Sequence, residues 1–370
     1  MVRTAGVNWR AWAEWSAGAL VLVLLAGWIW WEKSGTPERW RYEEAVQTFC
    51  GGLPAHEKSA QFEGLRTGTN LSSDTTLGPD AYSCRLGVAP AEVTVARLGA
   101  GKYETLDLER VLPHFSGSLS PVPLTGGWRG AIDGGSVRVL VDCRDSEDRV
   151  AVTVGSYLNE TGHEETEARQ ASEDGWLDSD LFWARFAVAT AVKAAAKWDC
   201  DAEAGKPLRA LPPTVVEPEP VAGADGTCAG LPFSRDKRLE EMEETRVGGG
   251  SVYETCRVIA SDYFDAPYVF TARFGPDVLL GRNVADVNTE AAAGVGVHGA
   301  WASAECPGDA ERARFTAIVP LEAATVWLPG EKGEETFGLP AFREFAERSA
   351  ERHGCTDLRL PSERRLPSAR

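Results

Sequence analysis

Hydrophobic residues follow three different patterns along the chain. From Trp15 to Trp31 (WSAGALVLVLLAGWIWW) no charged side chain interrupts the apolar run. Extended back through the Ala-rich turn after Arg10, the run reaches the roughly twenty residues that a bilayer requires, which predicts a spanning helix over 15–31. Trp9, Trp12 and Trp15 mark one end and Trp28, Trp30, Trp31 and Trp40 the other, as amphipathic rings at two headgroup levels would. A cleaved signal peptide would end in small residues, whereas this core ends in Trp-Ile-Trp-Trp before Glu32-Lys33. Cys50 lies too far beyond the apolar core for a lipoprotein site.

Beyond that segment the pattern alternates at period two in SCRLGV, EVTVARL, SVRVLVDC and RVAVTVGSYL, and again in ETCRVIA, YVFTARF, HGAWASAEC and RARFTAIVPL. Such alternation predicts half-buried strands. Helical spacing returns twice. One helix starts from an N-cap at Asp178 or Ser179 and runs to Trp198; the other has Pro340 in its first turn and stops at Gly354. In the second, Phe342, Phe345, Ala346, Ser349, Ala350 and His353 share a stripe that predicts packing on a sheet.

The same order of signals occurs twice. Cys50-Gly-Gly-Leu-Pro54 recurs as Cys228-Ala-Gly-Leu-Pro232, and Ser83-Cys84-Arg85 as Thr255-Cys256-Arg257. The strand runs ending in Cys143 and Cys306 follow, and each half closes with an amphipathic segment ended by Cys200 or Cys355. Cysteine spacings of 34, 59 and 57 answer spacings of 28, 50 and 49, so loop length differs and plan does not. The expected fold class is α+β: an N-terminal transmembrane helix, then two homologous modules, each an antiparallel sheet of about four strands with a C-terminal packing helix. The expected boundaries are a cytoplasmic N-terminus 1–14, the span 15–31, a first module 43–211, a stiff Pro-rich linker 212–221, a second module 222–361 and a basic tail 362–370.

The chain has 370 residues and a net charge of -17, which excludes a basic face for nucleic acid. Basic residues flank the apolar run evenly and leave its orientation open. The cysteines decide it, because a repeated set of eight on the C-terminal side suits an oxidising compartment outside the cytoplasm. None forms the close C-x2-4-C pair usual in zinc sites, so Cys50, Cys84, Cys143, Cys200, Cys228, Cys256, Cys306 and Cys355 are expected in disulfides. The favoured pairing is first with second and third with fourth in each half, since the fourth closes the helix that must pack on the strand the third ends. First with fourth is the alternative.

Motifs of catalysis are incomplete. Leu98-Gly99-Ala-Gly101-Lys102-Tyr103 lacks the first glycine and the Ser/Thr of a phosphate loop, and Ser234-x-x-Lys237 has no K-T-G or S-D-N behind it. His163-Glu164 opens H-E-x-x-H, but Glu167 stands where the second histidine belongs. His56, His114, His163, His298 and His353 show no ligand spacing, and His353 stands two residues before Cys355 as Trp198 stands two before Cys200, which marks a packing position. Eight carboxylates between Glu160 and Asp180 lack the order of a calcium loop. No catalytic residue, metal or cofactor is therefore expected.

In arrangement and in the motifs Cys50-Gly-Gly-Leu-Pro54 and Cys228-Ala-Gly-Leu-Pro232, the chain resembles uncharacterised actinobacterial proteins with one N-terminal span and a duplicated four-cysteine extracytoplasmic module. Arg far outnumbers Lys, in keeping with a GC-rich genome. The resemblance implies architecture and no activity. The expected function is a non-catalytic extracytoplasmic binding or envelope-interaction protein, held in the cell membrane by 15–31 and meeting an extracytoplasmic ligand or protein. The alternatives are an extracytoplasmic hydrolase with its site in one module only, and a structural subunit of a membrane complex.

Overall fold

The computed structural model describes residues 22–31, 44–55, 71–86, 91–99, 108–112, 120–133, 136–156, 176–213, 217–246, 250–260, 268–280, 291–296, 299–318 and 337–362, with isolated positions at 20, 33, 34 and 40. Residues 22–31 are helical, and Leu22, Val23, Leu24, Leu25, Trp28, Ile29, Trp30 and Trp31 are all exposed. Residues 15–19 of the expected span lie outside the described residues. No helix among the described residues is long and apolar enough to cross a membrane.

The first half contributes β1 (Leu71–Gly78), β2 (Ala81–Leu86), β3 (Ala91–Leu98), β4 (Val122–Pro123), β5 (Arg129–Asp133), β6 (Ser136–Asp142), β7 (Arg149–Ser156) and the helix α1 (Trp176–Lys197). The second contributes β8 (Glu219–Pro220), β9 (Leu239–Glu244), β10 (Tyr253–Ala260), β11 (Tyr268–Arg273), β12 (Gly294–Gly296), β13 (Gly299–Glu305), β14 (Ala313–Ile318), the helix α2 (Gly338–Arg352) and β15 (Thr356–Arg359). The fold is α+β with two antiparallel sheets, ordered β1-β2-β3-β7-β6-β5-β4 and β12-β13-β14-β11-β10-β9-β8, with β15 added on β13. The central paths correspond strand for strand. Thr94 stands opposite Thr153 in one sheet as Thr271 stands opposite Thr316 in the other.

Seven and eight strands replace the expected four. The additional ones lie toward the margins and alternate weakly: LSSDTTLG is largely polar, LEEMEE carries four glutamates, and VP, EP and GVG are two or three residues long. Within the expected linker, Glu219 and Pro220 pair with Met242 and Glu241 as the edge strand β8, and residues 214–216 lie outside the described residues.

Period two explains the layers. Val93, Val95, Val137, Val139, Val141, Val150, Val152 and Val154 face α1, where Phe186, Ala187, Ala191 and Ala194 meet them. In the second half Phe270, Ala272, Phe315 and Ala317 meet Phe342, Phe345, Ala346 and Ala350 of α2. β-branched sheet residues thus pack on a small-residue helix in one half, whereas the second spreads phenylalanine and alanine over both layers; interior density requires such complementarity.

The opposite face of the first sheet is also buried. Ala81, Ala96, Leu98, Ala131, Leu140 and Ala151 form one cluster with Val252, Tyr253 and Leu280 of the second half. The halves therefore share a core, although among the described residues their sheets stay separate apart from one bridge between Arg129 and Gly250.

Disulfides join Cys50 to Cys84, Cys143 to Cys200, Cys228 to Cys256 and Cys306 to Cys355, with Cα atoms 5.7, 5.1, 5.3 and 4.0 Å apart. The third and fourth cysteines of each half fasten a strand end to a helix end. Gly354, at φ 64°, ends α2 in the left-handed conformation that glycine adopts without a Cβ penalty.

Candidate functional site

The strand run SVRVLVDC puts Val137, Val139 and Val141 toward α1 and therefore turns Arg138 to the other face. There the second half covers it. Asp277, in the helical turn Asp277–Leu280, pairs with Arg138; their side chains are 0% and 1% exposed. Burial disfavours the Arg138 cation, the Asp277 carboxylate opposes that effect, and the guanidinium still falls below its ordinary pKa. The pair sets a guanidinium and a carboxyl group side by side in a buried contact.

A second charged contact lies alongside. Arg129 Nη2 donates to both oxygens of Asp309 at 2.6 Å, Arg149 Nη1 donates to Oδ1 at 3.1 Å, and the Gly275 N–H donates to Oδ2 at 3.1 Å. Arg149 Nη2 also reaches the Gly308 carbonyl at 2.8 Å. On their own sheet Arg129 and Arg149 share Asp142, at 3.1 and 3.0 Å. For Arg129, burial opposes the charge while Asp309 and Asp142 more than compensate, which leaves its pKa above the ordinary value. Near Arg138 the Arg273 guanidinium lies 4.5 Å from the centre of the Tyr253 ring, a cation–π contact, and burial raises the Tyr253 pKa. Two aspartate-bearing turns of the second half thus fill an arginine-lined face of the first sheet. Its chemistry is carboxylate recognition.

A separate cluster joins β10 to α2. Glu254 accepts from Ser349 Oγ at 2.6 Å and Arg352 Nη2 at 2.8 Å, and its other oxygen meets His353 Nε2 at 2.9 Å. Burial raises the Glu254 pKa, and the His353, Arg352 and Ser349 contacts outweigh it, so the net shift is downward. Ser349 Oγ and His353 Nε2 both bond to the Glu254 carboxylate, and the two residues are joined through the backbone, the His353 N–H donating to the Ser349 carbonyl at 3.2 Å, so the imidazole is engaged by the carboxylate and not by the hydroxyl. His353 also stacks on Phe274 with ring centres 3.6 Å apart. The packing position carries a polar link as well.

The shared Cys-[Gly/Ala]-Gly-Leu-Pro turn is held by different groups in each half. In the second, Glu244 accepts from the backbone N–H groups of Asp225, Gly226 and Cys228 at 2.9, 2.8 and 2.7 Å. In the first, Cys50, Gly51 and Gly52 are left-handed at φ 54°, 62° and 69°, Lys197 donates to the Gly51 carbonyl, and Lys193 donates to that of Pro54 at 3.0 Å. Leu53 and Leu231 enter the respective cores.

His56, His114, His163 and His298 lie outside the described residues, as does most of the Glu160–Asp180 run; Asp180 is half-buried and burial raises its pKa to about 6. No group of three or more His, Cys, Asp or Glu among the described residues is placed to hold a metal ion. Sequence reasoning missed Arg129, Arg138, Arg149, Asp277 and Asp309. For Arg138 the available signal was a charged residue inside an otherwise apolar strand; Arg129 and Arg149 begin their strands and Asp277 and Asp309 lie in turns, where charge is ordinary. Comparison with family models, with curated proteins and with solved structures finds no match for this chain.

Proposed function

We propose that the chain is a membrane-anchored, non-catalytic extracytoplasmic protein whose two halves arose by duplication and act together as one binding body. The observation that carries the reading is the pairing of an exposed apolar helix, Leu22 to Trp31, with four disulfides on its C-terminal side. So much apolar surface has a large burial free energy to gain from a bilayer, about 25 cal/mol per Å², and disulfides persist in oxidising compartments. The corresponding strand orders support duplication, and the shared core supports joint action. The anchor spans 15–31 with residues 1–14 in the cytoplasm.

Intact cells treated with an impermeant protease test the topology, and alkaline carbonate extraction tests the anchor. The expected result is digestion of the C-terminal region without membrane rupture and retention of the chain in the pellet. Protection of that region together with free thiols, or release into the supernatant, overturns the reading.

A further inference from the structure

A strand at the end of a sheet leaves a row of backbone N–H and C=O groups unpaired, and proteins normally blunt such edges. Of the five edge strands formed by the described residues, four are short: Val122–Pro123, Glu219–Pro220, Gly294–Gly296 and Thr356–Arg359. Two of these contain proline. The fifth is β1, which is eight residues long. Its counterpart β9 is covered by β8 and carries Glu240, Glu241, Glu243 and Glu244. By contrast β1 reads Leu-Ser-Ser-Asp-Thr-Thr-Leu-Gly, with no proline, no lysine and one charge. Its register on β2 is regular from Ser73 to Thr76, and Asp74, Thr75 and Thr76 are exposed.

We propose that β1 is a strand-addition edge on which a second copy of this chain pairs antiparallel about Thr75. A two-fold axis through a continuous antiparallel sheet sets one residue opposite itself. Centred on Thr75, it places Thr75 against Thr75 and each Asp74 against a Thr76, whose hydroxyl can donate to the carboxylate. Centred on Asp74, it would oppose two carboxylates, which is destabilising across strands. The regular stretch of the strand is therefore complementary to itself in one register. The inference rests on the anchored reading, because chains held in one bilayer meet at high effective concentration, which offsets the repulsion between two bodies of charge -17.

The test uses the full-length chain in detergent or nanodiscs. Light scattering gives the mass, and Thr75→Cys and Asp74→Cys are compared for cross-linking under mild oxidation, with peptide mapping of the four native bridges. A dimer is expected, with at least tenfold faster cross-linking at 75 than at 74. Thr75→Pro and Thr76→Pro distinguish fold from association: one of the two neighbouring N–H groups points away from β2, and that variant keeps its melting temperature and becomes monomeric. A monomeric mass at every concentration, equal cross-linking at 74 and 75, or a folded proline pair that stays dimeric overturns the proposal. Carbonate extraction is indifferent to dimerisation, so failure of the anchor is seen separately.

Discussion

Replacing Asp277 with alanine removes the carboxylate that faces Arg138 and leaves a guanidinium inside the contact between the halves. The two side chains are 0% and 1% exposed, so solvent screens neither, and water cannot replace the lost partner without opening the shared core. Breaking a buried pair from one side costs about 3–5 kcal/mol. In a chain of this size that corresponds to a fall in melting temperature of about 4–6 °C. The paired variant Arg138→Met with Asp277→Leu removes both charges and fills the site with apolar volume, so it should return to within about 1 kcal/mol of the parent. Circular dichroism of the detergent-solubilised chain in guanidinium, with disulfides intact, measures this. Asp277→Ala should also split the transition, because Leu280, Val252 and Tyr253 lose their seat on the first sheet as the contact loosens. A single variant within 1 kcal/mol of the parent, or a double variant weaker than either single one, refutes the reasoning.

Asp309→Ala leaves Asp142 as the carboxylate shared by Arg129 and Arg149, with the Gly308 carbonyl still accepting from Arg149, so a loss of about 2 kcal/mol is expected, measured by the same denaturation. Glu254 has a depressed pKa in the folded chain; its ionised form therefore adds stability above the ordinary glutamate value, and that stability is lost as pH falls through the folded value. Melting curves from pH 7 to pH 3 should show this loss in the parent and a flatter profile in Glu254→Gln. Gly205→Ala places a methyl group 2.8 Å from the Trp128 ring, whose Nε1–H donates to the Lys206 carbonyl at 2.7 Å; a loss of about 1–3 kcal/mol and an altered near-ultraviolet spectrum are expected. Removing the Cys143–Cys200 bridge by double serine substitution frees a separation of 57 residues and should cost about 4 kcal/mol in thermal unfolding.

Elements whose physics is local were legible in the sequence. The strands carrying Val93, Val139 and Val152 alternate because one face meets α1, and α2 shows its stripe because Phe342, Phe345 and Ala346 meet one sheet. The cysteine order led to the bridges for the same reason, since Cys306 ends a strand and Cys355 follows the helix laid on it. Margins were illegible. β1 and β9 lie at or beside a sheet edge, where one row of hydrogen bonds replaces two and little apolar burial imposes alternation.

The contact between the halves was hidden by distance. Arg138 and Asp277 are 139 residues apart, and no local period links a strand centre to a turn in the other half. Arg138 sits five residues before Cys143, and Trp301 holds the same place before Cys306. Both are buried on the face turned from the helix, opposite Thr153 and Thr316 respectively. Trp301 satisfies its indole N–H within its own half, on the Ala291 carbonyl at 3.1 Å, whereas Arg138, besides the nearby Asp133 of its own half, pairs with Asp277 across the contact. One strand position therefore serves closure of a half in one case and joining of two halves in the other. An arginine there has a large desolvation cost unless the partner is present, so folding of the first half is coupled to docking of the second.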